Sequence, residues 1–219
     1  MSLIERAARE KTLAAAAAVV EACRLCTIGS TRTHSVFGEG DPCAPLMCVG
    51  EGPGETEDRL GRPFVGRAGE LLEKMLAAIG FAREDVYIAN TVKCRPTLDA
   101  GHRLANRAPT PDEMKNCRHY LDAQIEVIRP RVILALGAPA AKSFMGERFS
   151  ITTQRGQWFD GPLGIPVTAT FHPAYILRQT GGAMTEVKRL VYADLKAVRE
   201  RVDAPPPPPP ALEHPTLFE

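Results

Sequence analysis

VGEGPGETEDRLGRPFVGRAG, residues Val49 to Gly69, decides how the rest of the chain is read. It follows an apolar run, Leu46 to Val49, that reads as a short buried strand, and it leads into a helical pattern from Glu70 to Ile79. A strand, a glycine-rich turn and a helix in that order form a ligand-binding layout. Glycines at 50, 52 and 54 let the backbone approach a bound group closely, and Pro53 stiffens the turn. Glu51, Glu55, Glu57, Asp58 and Phe64 bring side chains able to do chemistry. A phosphate ligand is disfavoured, because the P-loop Lys-Ser/Thr and the GxGxxG spacing are missing and the acids would repel a pyrophosphate. A neutral ligand fits better. The plain alternative is a tight strand-to-helix turn whose acids face solvent.

Outward from this stretch the pattern repeats. An alanine-rich helix is expected from about Ser2 to Cys23, and further strands at Val86 to Asn90, Arg131 to Leu136 and Val167 to Phe171. Thr110-Pro111-Asp112-Glu113 opens a helix with an N-cap residue, a proline in the first turn and acids beside it. Gly137-Ala138-Pro139 turns into a short helix, Gln154 to Gly161 reads as a hairpin-like piece, and a last helix runs from about Thr185 to Val202. Apolar strands alternating with helices predict a three-layer α/β/α sandwich around a mostly parallel four-stranded central sheet. Residues 1–202 form this domain, and residues 203–219 a proline-rich tail. In such sheets ligands gather outside the carboxyl ends of the strands, and Glu51, Asn90 and His172 each stand at or just after such an end.

Composition sets limits of its own. With 219 residues, 44% hydrophobic and 24% charged, the chain suits one globular domain with extensions. No apolar run approaches a bilayer span, and Ala14 to Ala18 is flanked by charges instead of a cleavage site, so a cytoplasmic protein, working as a monomer away from membranes, is expected. A net charge of +1 neither supports nor excludes a nucleic-acid partner, since only a local basic face would count. Six cysteines in such a chain argue for metal or redox chemistry over disulfides. Cys23 and Cys26 form a C-x-x-C, Cys94 follows a strand, and Cys117 lies in the helix that begins near Pro111. On spacing alone a zinc site and an iron-sulfur cluster are equally admissible. Cys48 reads as a small core residue and Cys43 as a loop thiol.

The central stretch resembles the first active-site motif of the family four uracil-DNA glycosylases, the iron-sulfur branch of that superfamily. Its GEGPG, ED, GRPFVG and AG all stand here, and the likeness continues in YIANTVKCRP (Tyr87 to Pro96), NRAPTPDEMKNC (Asn106 to Cys117) and FHPAYILR (Phe171 to Arg178). The resemblance implies an enzyme that excises uracil from DNA by hydrolysing the N-glycosidic bond of a flipped-out deoxyuridine. It also implies a 4Fe-4S cluster on Cys23, Cys26, Cys94 and Cys117. Phe64 would stack on the base and Asn90 would read its edge, donating to uracil O4 and accepting from N3-H, where cytosine presents the opposite pattern. His172 would stabilise the charge developing at uracil O2, and Glu51 would orient water or stabilise the sugar cation. Gly52 and Pro53 would contact the base through backbone groups, and Glu57 would line the pocket. Other branches carry a catalytic Asp in a GQDPY motif; the matching stretch here is GEGPG, so no Asp base is assigned.

Two regions depart from the pattern. The short link between CRPP and NRAP is lengthened by TLDAGHRLA, Thr97 to Ala105. A cross-linking relative carries a reactive His in an insertion at this place, but its flanking basic run is missing here, and His102 is expected in a solvated loop on the DNA side. The tail holds six consecutive prolines, which favour an extended spacer, and then His214-Pro215-Thr216-Leu217-Phe218. That ending resembles peptides that dock on bacterial sliding clamps. A noncatalytic iron-sulfur module and a hydrolase of free nucleosides are the competing classes. Intact Glu51, Asn90 and His172 oppose the first, and a cysteine set with a DNA-facing insertion opposes the second.

Overall fold

The structure is a computed structural model and describes residues 2–99 and 104–205. In chain order the helices are α1 (Leu3–Ala22), α2 (Ile28–Thr31), α3 (Glu55–Leu60), α4 (Arg67–Ala77), α5 (Pro111–Ile128), α6 (Ala138–Met145), α7 (Ile151–Gln154), α8 (Pro173–Leu177) and α9 (Gly181–Asp203). The strands are β1 (Glu39–Gly40), β2 (Leu46–Gly50), β3 (Tyr87–Asn90), β4 (Thr97–Asp99), β5 (Leu104–Asn106), β6 (Val132–Leu136), β7 (Phe159–Asp160) and β8 (Pro166–Thr170).

The local signals act where the sequence places them. Thr110 caps α5 by accepting from the Glu113 amide at 3.2 Å, while Glu113 Oε2 accepts from the Thr110 amide at 2.8 Å, with Pro111 at the first position. Ser2 and Glu5 make the same reciprocal pair at the start of α1. The four predicted strands are present and mutually parallel, in the order β3-β2-β6-β8. Their residues divide by parity, because successive side chains leave a strand on opposite faces. Leu46, Cys48, Ile88, Leu134 and Leu136 pack under α4, α8 and α9. Met47, Val49, Tyr87, Ala89, Ile133 and Val167 pack under α1 and α5. Both faces are covered, which is why these strands read as continuous apolar runs.

The expectation of a four-stranded sheet is corrected: the sheet has six strands, because β1 and β7 add antiparallel edges to β3 and β8. Each edge strand is two residues long, too short for a period to appear in the sequence. The insertion differs as well. Expected as a loop, it folds back as an antiparallel ribbon in which Thr97 pairs with Asn106 and Asp99 with Leu104. Arg95 Nε donates to Asn106 Oδ1 at 2.7 Å and Arg107 Nε to the Thr97 carbonyl at 3.0 Å, so two arginines clamp its base.

The topology positions the site. The chain leaves β2 for β3 on one side, then crosses back to β6 on the other, so β2 flanks the point where strand order reverses. A crevice forms at the carboxyl ends of the strands around such a point. No helix among the described residues is long and apolar enough to cross a membrane.

Candidate active site

A cavity of about 280 Å³ opens at that crevice, and Glu51, Gly52, Pro53, Glu57, Phe64, Asn90 and His172 all line it. Sequence separation of more than a hundred residues is thus closed by three strand ends. Asn90, the last residue of β3, is 1% exposed, and its Oδ1 has no hydrogen-bond partner. Buried polar atoms are nearly always bonded, so an unpartnered acceptor in a residue that lines the cavity suits a donor from elsewhere. Asn90 and the Phe64 ring both crowd Gly50: a Cβ there would lie 2.5 Å from Asn90 Oδ1 and 2.6 Å from Phe64 Cζ.

Phe64 sits with φ at 49°, a left-handed conformation that costs a non-glycine residue about 1 to 3 kcal/mol. The surroundings enforce it. Glu57 Oε1 accepts from the amides of Val65 at 2.9 Å and Gly66 at 2.8 Å. Arg83 donates to the Phe64 carbonyl at 3.0 Å and the Pro63 carbonyl at 2.5 Å, and is itself paired with Glu39 at 2.8 Å. Helix α4 meets the same turn so closely that a Cβ on Gly69 would be 1.9 Å from the Phe64 carbonyl oxygen. Glu57 therefore does more than line the pocket, since its carboxylate holds the turn that presents the ring. The ring faces His172, with centroids 5.6 Å apart and planes tilted by 32°.

His172 caps α8, and its Nδ1 accepts from the Ala174 amide at 3.1 Å. Burial, helped by the nearby Arg178 charge, pushes its pKa down to about 4. The imidazole is neutral near pH 7, and with Nδ1 accepting, its proton belongs on Nε2, which makes that atom a donor. Glu51 follows β2, and burial raises its carboxyl pKa. Its carbonyl is fixed by the Thr91 hydroxyl at 2.5 Å and the Val92 amide at 3.1 Å.

Sequence reasoning gives no role to Pro96, Asn106, Arg107 and Pro109, which complete the rim on the side of the β4–β5 ribbon. Arg107 forks onto Glu113 at 2.6 and 2.7 Å, and Glu113 in turn caps α5. The signal lay in the NRAPTP run, whose Arg and capping Glu are six residues apart. His102 and the chain from 206 onward lie outside the described residues.

The other cysteine-bearing region is a small hollow between α1, α2 and α5, lined by Cys23, Cys26, Cys94 and Cys117 together. Arg32 Nη1 donates to Cys94 Sγ at 2.9 Å and the Lys93 amide to Cys117 Sγ at 3.2 Å. Such donors favour thiolate, whereas burial pushes the Cys117 thiol up to about 11 and raises Cys94 and Cys26. The donor set fits an iron-sulfur cluster: four sulfurs around one hollow, from one close pair and two distant positions. Among the described residues no group of three or more His, Cys, Asp or Glu side chains is arranged for a single metal ion. Cys48 stays apart, fully buried under α4 with its pKa pushed up to about 12 by burial.

A sheet with this switch point carries a buried asparagine at one strand end and a neutral histidine at another, and the family model of the uracil DNA glycosylase superfamily matches residues 37–196. The chain is 46% identical to a type-4 uracil-DNA glycosylase of Thermotoga maritima over 87% of this chain and 95% of that protein. It is 42% identical to the type-4 enzyme of Sulfurisphaera tokodaii, over 85% of this chain and 83% of the relative. Against that of Archaeoglobus fulgidus it is again 42% identical, over 72% and 79%. The chain belongs to the type-4 uracil-DNA glycosylases of this superfamily.

Proposed function

We propose that the cavity receives a uracil flipped out of DNA and that this chain's own residues read it and cleave its glycosidic bond. The activity, excision of uracil in DNA repair, follows from the family. The assignment of residues rests on one observation above the others, the unpartnered Asn90 Oδ1 on the cavity wall. Uracil N3-H supplies the missing donor, and the Asn90 amide N-H donates to O4. Cytosine would set acceptor against acceptor and donor against donor. Phe64 stacks on the base, its ring held by the Glu57 and Arg83 contacts.

In the reaction the C1′–N1 bond breaks and its electron pair leaves with the base. The His172 Nε2 proton then faces a growing negative charge at O2, and because the ring is neutral the bond strengthens during the step without a proton having to move. A water oxygen bonds to C1′, and Glu51, ionised, orients that water and takes its proton. Glu51 then releases its proton to solvent, the uracil anion takes one from solvent, and the products are an abasic site and free uracil.

Cys23, Cys26, Cys94 and Cys117 would hold a 4Fe-4S cluster, which when bound supplies a structural cross-link between α1, the segment after β3, and α5. The substrate supports a cytoplasmic enzyme. Residues 1–202 form the catalytic domain, and the tail with Leu217-Phe218 tethers it to a sliding clamp.

The test is single-turnover cleavage of oligonucleotides that differ only in uracil or cytosine at one position, scored as alkali-labile sites. Two unsatisfied buried groups at about 1 to 3 kcal/mol each imply at least about 30-fold discrimination by the wild type. Asn90→Asp should lose most uracil cleavage and gain weak cytosine cleavage, since a protonated carboxyl can donate to cytosine N3. Wild-type uracil cleavage by Asn90→Asp would mean that Asn90 does not read the base.

A further inference from the structure

Lys93 is the largest fully buried side chain among the described residues, with no exposed surface. Buried lysines are rare unless paired, yet no carboxylate lies within ion-pair distance of it among the described residues. Its ammonium instead donates to the Asn90 carbonyl at 2.9 Å and to Gln124 Oε1 at 2.5 Å, and faces the Phe37 ring at 5.7 Å. Gln124 is fixed in turn, donating to the Phe37 carbonyl at 2.9 Å and the Tyr87 hydroxyl at 3.1 Å. The backbone of Lys93 is anchored separately, by its amide on Cys117 Sγ and by the Val36 amide on its carbonyl at 2.8 Å.

We infer that Lys93 is a positioning residue for base recognition, holding the last peptide of β3 so that Asn90 presents its amide to the cavity at a fixed height. At Asn90 the ladder to β2 ends with the amides of Thr91 and Val92, and the Asn90 carbonyl would be left inside the core without a partner. An ammonium is the strongest neutral-pH donor that can reach it from three residues on. The Thr91 amide on the Gly50 carbonyl at 2.9 Å and the ammonium on the Asn90 carbonyl hold both polar ends of the peptide that follows the Asn90 side chain. The same residue is tied to the cysteine hollow through Cys117, so the reading wall of the cavity hangs from the cysteine region.

This inference rests on Asn90 reading the base, and a double-mutant cycle separates the two claims. Lys93→Met keeps the length of the stem and removes the donor. It should lower single-turnover uracil cleavage by at least about tenfold, the scale of one lost charge-assisted hydrogen bond. In an Asn90→Ala background the same change should cost less than about twofold, because the residue being positioned is gone. Multiplicative losses in the double variant would reduce Lys93 to a structural role and overturn the inference. An unchanged rate for Lys93→Met alone would do the same. Should Asn90→Ala itself cleave at the wild-type rate, the reading role of Asn90 fails first, and the inference with it. If Lys93→Met does not fold, Gln124→Leu, which removes the brace on the ammonium, replaces it in the cycle with the same required dependence on Asn90.

Discussion

The cavity at the strand ends and the cysteine hollow draw on one stretch of chain, Asn90 lining the first and Lys93 and Cys94 the second, yet they are built in opposite ways. The cavity has room for about 280 Å³, the hollow for about 10 Å³. Around the cavity stand a left-handed Phe64, an unpartnered Asn90 oxygen and a half-buried Glu51, each a cost to the folded chain. Around the hollow, by contrast, two sulfurs accept hydrogen bonds and the neighbours are Val20, Ile28 and Tyr120. Strain and unpartnered acceptors suit a guest that arrives and leaves, whereas a hollow this small, lined by four cysteines, suits an occupant held by bonds to sulfur. Substitutions in the cavity should therefore change rate more than stability, and substitutions in the hollow the reverse.

The sharpest break in this comparison would come from Cys117→Ala. If the four cysteines hold the proposed cluster, the change should cost about 4 kcal/mol or more, the range in which loss of a bound metal falls, and should remove the iron and visible absorbance expected of the wild type. Cys48→Ala, a core substitution on the other face of the sheet, should keep both and cost about 1 kcal/mol. Iron analysis and thermal melting read the pair; colourless wild-type protein with stoichiometric zinc would replace the cluster by a zinc site. Next in size is His172→Ala. If its Nε2 donates to the developing oxyanion as proposed, the change should lower the single-turnover rate by about 10²- to 10³-fold. Its melting temperature should stay close to wild type, and a loss of rate matched by a collapse in stability would erase the contrast between the two regions.

What the sequence discloses follows from how the two regions are made. The four parallel strands are legible because burial on both faces turns each into an apolar run, and the strand ends then mark Glu51, Asn90 and His172. Edge strand β1, Glu39–Gly40, has no apolar residue to betray it. Supports are harder to see than the groups they support. Arg83 reaches Phe64 across nineteen residues from a 3-10 turn, and nothing in its neighbourhood marks it as a strut. Lys93, in the middle of YIANTVKCRP, reads like any surface lysine, because its burial is decided by Gln124 and Phe37, which lie 31 residues after it and 56 before it. The cysteines are legible as a set, but the hydrogen bonds from Arg32 and Lys93 that dress their sulfurs are not.

The smallest effect tests whether the cavity's cost is tied to its chemistry. Burial raises the Glu51 pKa above the ordinary carboxyl value, while His172 is lowered to about 4. As pH falls from neutrality Glu51 therefore takes a proton first, and His172 stays neutral until the pH approaches about 4. If ionised Glu51 handles the water, the rate should decline on the acid side with a midpoint above the ordinary carboxyl value, because burial raises the Glu51 pKa. Glu51→Gln should be slow and should lack that limb. The sign for stability runs the other way. A carboxyl whose folded pKa is raised binds more protons folded than unfolded between its two pKa values, so its folded state is favoured as pH falls and disfavoured as pH rises through that window. Above the window the buried carboxylate is a standing cost, and Glu51→Gln should melt slightly higher than wild type at pH 7 while cleaving more slowly. An acid limb that persists unchanged in Glu51→Gln would assign the titration to another group. A variant that is both slower and less stable would show that Glu51 holds the turn together instead of handling water.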